Sequence, residues 1–361
     1  MNNQEKIVGK ETIPHSRPTL GPQEAKAVSA VIESGYIAEG EIVNTFESAF
    51  AKFLGVEYAT STNSGTSALH LTLLAMGVGQ GDEVIIPSYV CSALLNAVNY
   101  TGATPILADI NPDTYNLNAA DVQRFIKKST KAIIVPHLFG LAADMEPLLE
   151  LEVPIVEDCA QSIGATHHQR PVGLFGVAGI FSFYATKVIT TGEGGMVTTN
   201  SSDIAARIRD LKAYDKREDY KIRFNYKMTD IQAALGIVQL KQLRSFIRRR
   251  KKIAEGYNRA FYDLRLKLPP TDTGQIYFRY VLDLKMDSRP WIQELARMGI
   301  TCDRPIHFPL HQNLKLGGYP ATEKAWKQSL SIPIYPTLTD EEISRVIESV
   351  TRCCEKFANF I

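Results

Sequence analysis

Short apolar runs that do not alternate with polar residues recur between about residues 21 and 250: Val84-Ile85-Ile86, Pro105-Ile106-Leu107, Ala132-Ile133-Ile134-Val135 and Pro154-Ile155-Val156. A strand with one wet face alternates apolar and polar side chains, so a run that is apolar throughout must be covered on both faces. Each run is bounded by Gly, Pro, Asp or Asn, and helical patterns fill the gaps. Together they predict an α/β fold with a mostly parallel central sheet flanked by helices. Pro22 opens a helix with Val28, Val31 and Ile32 on one face, and Gly35 stops it. Val43, Phe46, Phe50 and Phe53 mark a second apolar stripe that ends before Gly55.

A long helical pattern from Thr229 to about Tyr257 closes this alternation. Beyond it come a strand-like segment from Tyr277 to Leu284, a helix from Ser288, a proline-rich stretch and a last helix from about Asp340. A chain of 361 residues is long enough for two packed domains. The expected division is a large α/β domain over 1–250, with residues 1–14 as an N-terminal arm, and a smaller C-terminal α+β domain over 251–361.

Lys plus Arg total 40 and Asp plus Glu 39, so the formal charge is +1. That balance gives no bulk electrostatic reason to expect nucleic acid or a membrane surface as partner. The run Arg248-Arg249-Arg250-Lys251-Lys252 reads as the solvated face of the long helix. The five cysteines, Cys91, Cys159, Cys302, Cys353 and Cys354, show no zinc or CxxC spacing. No metal is expected. The first residues lack the apolar core of a signal peptide, and no apolar run of about 18 residues occurs, so a cytoplasmic location is expected.

Parallel sheets bind ligands at the carboxyl ends of their strands, and four such junctions carry polar chemistry. Ser61-Thr62-Asn63-Ser64-Gly65-Thr66-Ser67 runs into a helix, whose free amides and dipole favour an anion, although simple N-capping uses the same residues. Asp158 and Gln161 follow the run ending at Val156; an acid there faces the crevice or caps a helix. Phe181-Ser182-Phe183-Tyr184-Ala185-Thr186-Lys187 places a lysine after an aromatic strand, with a Gly-rich turn beyond it. Such a setting can desolvate an amine into a nucleophile, whereas most lysines after strands are merely exposed. Asn225 lies in a polar turn just before the long helix.

Taken in this order, SGTSALHL, VEDCAQSIGA, FSFYATKVITTGEGGMV and FNYKMTDIQAALG resemble the DegT/DnrJ/EryC1/StrS family of pyridoxal-phosphate (PLP) sugar aminotransferases over nearly the whole chain. The resemblance implies the aspartate aminotransferase-like type I fold and the cofactor pyridoxal 5'-phosphate. Residue by residue, it implies that Lys187 carries the cofactor as a Schiff base and that Asp158 sits beside the pyridine nitrogen. Gln161 is then placed near the phenolic oxygen, and Gly65, Thr66, Ser67 and Ser182 around the phosphate. Asn225 is expected to reach the phosphate of a neighbouring subunit, which implies a homodimer with shared active sites. Tyr36, His307 and His311 fall in regions similar to the family's sugar pocket. The sequence departs from the family at Cys91, where many members have an aromatic residue that stacks on the ring, so Tyr89 or another side chain is expected to substitute.

The implied reaction is amino transfer from an amino acid, glutamate by resemblance, to a nucleotide-linked 3-keto or 4-keto hexose. Two alternatives are a PLP-dependent sugar dehydratase and a catalytically silent sensor. Lys187 weighs against the first, and the intact set Lys187, Asp158, Gln161 and Ser182 against the second.

Overall fold

The protein is described from a computed structural model covering residues 12–358. Most of the expected arm, residues 1–11, therefore lies outside the described residues. Helices α1 (Pro22–Ser34) and α2 (Glu41–Leu54) lead into β1 (Tyr58–Thr62) and α3 (Gly65–Ala75). The chain continues through β2 (Glu83–Pro87), α4 (Ser92–Thr101), β3 (Thr104–Ala108), the short α5 (Ala119–Gln123) and β4 (Thr130–Pro136). Next come the short α6 (Glu146–Leu149), β5 (Ile155–Asp158) and a small hairpin of β6 (Thr166–His167) and β7 (Arg170–Pro171). β8 (Ala178–Ser182), β9 (Gly195–Thr199), α7 (Ser202–Leu211) and the long α8 (Asp230–Phe261) complete this part.

Seven strands form one sheet in the order β1-β9-β8-β5-β4-β2-β3. All four apolar runs are strands in it. Alternate residues point to opposite cores: Val84, Ile86, Ile134 and Val156 pack on one side, and Ile85, Ile133, Val135 and Ile155 on the other. Burying such a side chain contributes roughly 1.5–3 kcal/mol, so no position in these runs can be polar without loss. β3, β2, β4, β5 and β8 are mutually parallel, whereas β9 is antiparallel to both β8 and β1. The reversal has a local cause. Residues 183–194 contain no helix, and a connection without a crossover element returns the chain antiparallel.

α8 starts with a capping box in which Thr229 and Gln232 satisfy each other's backbone amides. Its first residue, Asp230, also caps α2, because Oδ1 accepts from the amides of Gly40 and Val43 at 2.9 Å each. A side chain at position 40 would place Cβ 2.7 Å from Asp230 Oδ2, so the close approach requires Gly40. One carboxylate thus ties the Tyr36 loop to the turn that carries Asn225.

The remaining elements are β10 (Tyr280–Asp283), α9 (Arg289–Arg297), the short α10 (Leu310–Asn313), α11 (Pro320–Gln328), β11 (Ser329–Ile332) and α12 (Asp340–Lys356). β10, α9, β11 and α12 gather a second core around Trp291, Leu330 and Val350, joined by Ile253, Tyr257 and Phe261 of α8 and by Ile13, whereas Leu310 of α10 and Ala325 of α11 pack on the first. Ile13 pairs with Ile300, so the described end of the expected arm is packed against this core. α8 passes position 250 without a break and serves both cores.

The basic run on α8 is only in part the solvated face expected: Arg248 and Lys252 are exposed, but its middle is not. Arg250 is buried, and its Nη1 donates to the carbonyls of Tyr277, Phe278 and Ile334. Arg249 donates to the Leu338 carbonyl and Lys251 to that of Thr273. Composition showed the charges, but only the helix's central position turned Arg250 inward. All five cysteines are free. Among the described residues, no helix is long and apolar enough to cross a membrane.

Candidate active site

A cavity of about 240 Å³ opens where the carboxyl ends of β5 and β8 meet the N-terminus of α3. Gly65, Thr66, Cys91, Asp158, Ser182 and Lys187 all line it. Four of the sequence-expected junction segments therefore separate into three that meet here and one, the Asn225 turn, that does not line this cavity.

Ser64 is the N-cap of α3, accepting from the Ser67 amide at 3.1 Å. The Ser67 hydroxyl donates to Asn63 Oδ1 at 2.7 Å and shares a 2.9 Å contact with Ser64 Oγ. Ser67 is thus spent on building the turn and does not line the cavity, which corrects its expected place in the cup. The Gly65 and Thr66 amides carry no hydrogen bond among the described residues, so they and the Thr66 and Ser182 side chains are left for an anion at the positive end of the helix. The Gly-rich turn serves packing: a Cβ at Gly195 would lie 2.3 Å from the Ser64 carbonyl oxygen, and one at Gly65 would lie 2.9 Å from Ser182 Cβ.

Along β5, consecutive side chains point to opposite faces. Asp158 faces the cavity, is 7% exposed, and accepts from the Ala160 amide at 3.0 Å through Oδ1. Burial pushes its carboxyl up, while the Ala160 amide and Lys187 pull the other way. Glu157 points into the protein, where it accepts from the amides of Gly173, Phe175 and Gly176 and from His137 Nε2 at 3.0 Å. His137 Nδ1 accepts from the Ala143 amide, which assigns the proton to Nε2. Burial opposes ionisation of Glu157, yet His137 and these amides hold its carboxyl below the usual range. Neighbouring acids thus divide into one for the cavity and one for the scaffold.

Lys187 lies in the turn after β8, its amide bonded to the Tyr184 carbonyl at 2.9 Å. Its Nζ stands 5.3 Å from the centre of the Phe278 ring. Burial lowers its pKa below that of a free lysine. A desolvated amine of this kind is available as a nucleophile and base. Cys91, the N-cap of α4, reaches the same cavity. Tyr89 cannot take the stacking place, because it is fully buried against Tyr115 and Phe139.

The other expected residues lie elsewhere. Gln161 Oε1 accepts from the Phe139 amide at 2.9 Å, outside the cavity lining. Asn225 is exposed, and its carbonyl accepts from Asn63 Nδ2 beside the α3 turn. Tyr36 is 82% exposed and His307 is exposed. His311 is misassigned as a sugar ligand. It is 1% exposed, with Nδ1 on Ser88 Oγ and Nε2 on Glu323 Oε1, both at 2.7 Å. Both ring nitrogens are taken, so it fastens α10 to the end of β2 and offers nothing to a substrate. Tyr184 and Glu193 line the cavity and were missed, although both stand inside the longest motif.

The donor set matches a phosphorylated pyridine aldehyde: an amine at Lys187, an acid at Asp158, and free amides with hydroxyls at the α3 turn. The profile of the DegT/DnrJ/EryC1/StrS aminotransferase family matches residues 18–351. A GDP-perosamine synthase of Caulobacter vibrioides is 37% identical, covering 92% of this chain and 96% of that protein. The spore coat polysaccharide biosynthesis protein SpsC of Bacillus subtilis is 34% identical, covering 94% and 96%. Among solved structures, the putative sugar aminotransferase Spr1654 from Streptococcus pneumoniae in its PMP form superposes with a TM-score of 0.91 at 28% identity, covering 96% and 99%.

Proposed function

The chain belongs to the DegT/DnrJ/EryC1/StrS aminotransferase family, a PLP-dependent sugar aminotransferase on the type I fold, and from that premise we propose that it moves an amino group from L-glutamate to a nucleotide-linked 3-keto or 4-keto hexose. The observation that carries the reading is the meeting of Lys187, Asp158 and the α3 turn in one cavity. Because relatives of this chain are GDP-perosamine synthases, GDP-linked keto hexoses are the first acceptors to test.

When bound, PLP supplies an electron sink that stabilises negative charge at the carbon losing its proton. The protein's own residues supply the rest. Lys187 Nζ holds the cofactor and then takes and returns the proton at the reacting carbon, which its lowered proton affinity favours. Asp158, ionised, keeps a proton on the pyridine nitrogen. The Gly65 and Thr66 amides with the Ser182 hydroxyl would hold the phosphate. Tyr36 and His307 remain the proposed sugar contacts.

The reading is tested by absorbance of the PLP-loaded protein. L-Glutamate should bleach the cofactor band at roughly 400–430 nm, and a GDP-linked 4-keto or 3-keto hexose should restore it. A band indifferent to every amino acid tried would leave the proposal without support.

We place Asn225 in the neighbouring subunit's phosphate site, which its exposed side chain, without a partner among the described residues, permits. Asn225→Ala should then weaken PLP retention on dialysis by about tenfold, the worth of one hydrogen bond to a charged group. Sedimentation should still show a dimer. Unchanged retention argues against the cross-subunit role.

A further inference from the structure

The hairpin of β6 and β7 turns on two residues, His168 and Gln169, both in the left-handed region at φ 47° and 67°. Two positive φ values match the twist of a two-residue hairpin loop, which more often uses Asn and Gly. The turn also decides where the side chains go. Neighbours along a strand point to opposite faces, but here the His168 ring swings back beside that of His167, with ring centres 4.2 Å apart.

Two carboxylates meet this pair from the segment that opens α6. A hydrogen bond joins His167 Nε2 and Glu146 Oε2, and Asp144 Oδ1 lies 3.9 Å from the same nitrogen. Glu146 Oε1 lies 4.0 Å from His168 Nε2. Ligand atoms of Glu146, His167 and His168 all fall within 4.8 Å of one another. Two ligands that are each about 2.1 Å from a tetrahedral ion stand about 3.4 Å apart, so small side-chain rotations bring these atoms to ligand spacing. The Asp144, Glu146 and His168 side chains are exposed and can make those rotations. His167 is the fixed point: its side chain is only 14% exposed and packs edge-on against Phe175 at 5.8 Å.

A second group, His137, Glu157 and Cys159, also converges, but backbone amides already engage His137 Nδ1 and both Glu157 oxygens. It has no lone pairs to spare. The cysteine spacing gives no hint of the exposed group, because its ligands are histidines and carboxylates from segments 21 residues apart.

We propose that His167, His168, Glu146 and Asp144 form a site for a divalent transition-metal ion of the zinc class. Two imidazoles favour zinc, nickel or copper over Mg²⁺ and Ca²⁺, which take oxygen ligands. The two carboxylates balance the charge of the ion. Once bound, it clamps the hairpin to the start of α6. None of the four residues lines the cavity of Lys187, so the clamp is structural and independent of the amino-transfer reading.

The test uses the PLP-loaded protein without a histidine tag, stripped with a chelator and titrated with Zn²⁺ alone. Equilibrium dialysis should find one ion per chain, and zinc X-ray absorption should show imidazole and carboxylate ligands without sulfur. His168→Gly keeps the left-handed turn and removes one ligand. His167→Phe keeps a ring against Phe175 and removes another. Each should weaken zinc binding by more than about 100-fold, beyond the loss from removing an outer partner of a ligand. Zn²⁺ should raise the unfolding temperature of the parent by linkage, and of neither variant. Excess Mg²⁺ should leave the zinc in place, and bound PLP should stay at the parent level in both variants.

Failure to take up Zn²⁺ from micromolar solution overturns the proposal, as does uptake that neither variant weakens. Sulfur around the zinc also overturns it, by placing the ion at one of the five free cysteines. Should His167→Phe not fold, His168→Gly decides the matter alone, since the side chain it removes is exposed.

Discussion

Lys187→Ala should lower turnover by about four orders of magnitude or more. General acid–base catalysis by a placed side chain is worth about 10²–10⁴-fold, and the same amine is also the cofactor's point of attachment, so both contributions vanish together. No other lysine lines the cavity to replace it. Borohydride reduction and peptide mass spectrometry should find PLP on Lys187 in the parent and on no residue in the variant. Small primary amines added to the variant should restore a fraction of the activity, because the space left by the side chain lies beside the reacting carbon. Turnover near the parent rate would remove Lys187 from the chemistry altogether.

Asp158→Asn is expected to have the next largest effect, a fall in turnover of about 10²–10³-fold, comparable with the loss of one preorganised electrostatic group. The side chains are nearly isosteric, and the amide oxygen can still accept from the Ala160 amide, so the fold should survive. What changes is charge. A neutral asparagine cannot hold a proton on a pyridine nitrogen, and the ring then accepts electrons less readily. Burial alone would push Asp158 toward the neutral form, yet Lys187 already opposes that, and a pyridinium would oppose it further. Bound PLP should persist in the variant with an altered absorption spectrum. An unchanged turnover would show that the acid is only a turn-forming residue.

The fold was largely legible because its signal is dense and local. Runs such as Ile133-Ile134-Val135 can be apolar throughout only if both faces are covered, and Gly35 and Gly55 stop their helices in the left-handed conformation that the pattern requires. The site was legible in a different way. Lys187, Asp158, Gly65, Thr66 and Ser182 were marked by motif, and each reaches the cavity because each sits where a strand ends or a helix begins.

Identical signals led astray where the outcome depended on what lay opposite. His311 looked like a ligand by its place in a proline-rich loop, but Ser88 and Glu323 close on its two nitrogens from other elements. Arg250 looked solvated within a basic run, but three carbonyls from distant loops surround it. Ser67 and Tyr89 had suitable chemistry and were claimed by the turn and by the core.

By itself, the sequence determined the α/β architecture, since periodicity is a property of neighbouring residues, and it marked Lys187 and Asp158 through motifs that resemble those of the family. Only the tertiary structure decided which of Glu157 and Asp158 faces the cavity and that β9 runs backwards. Those outcomes depend on contacts between residues far apart in the chain, where burial and the sign of the nearest charge set what a side chain can do.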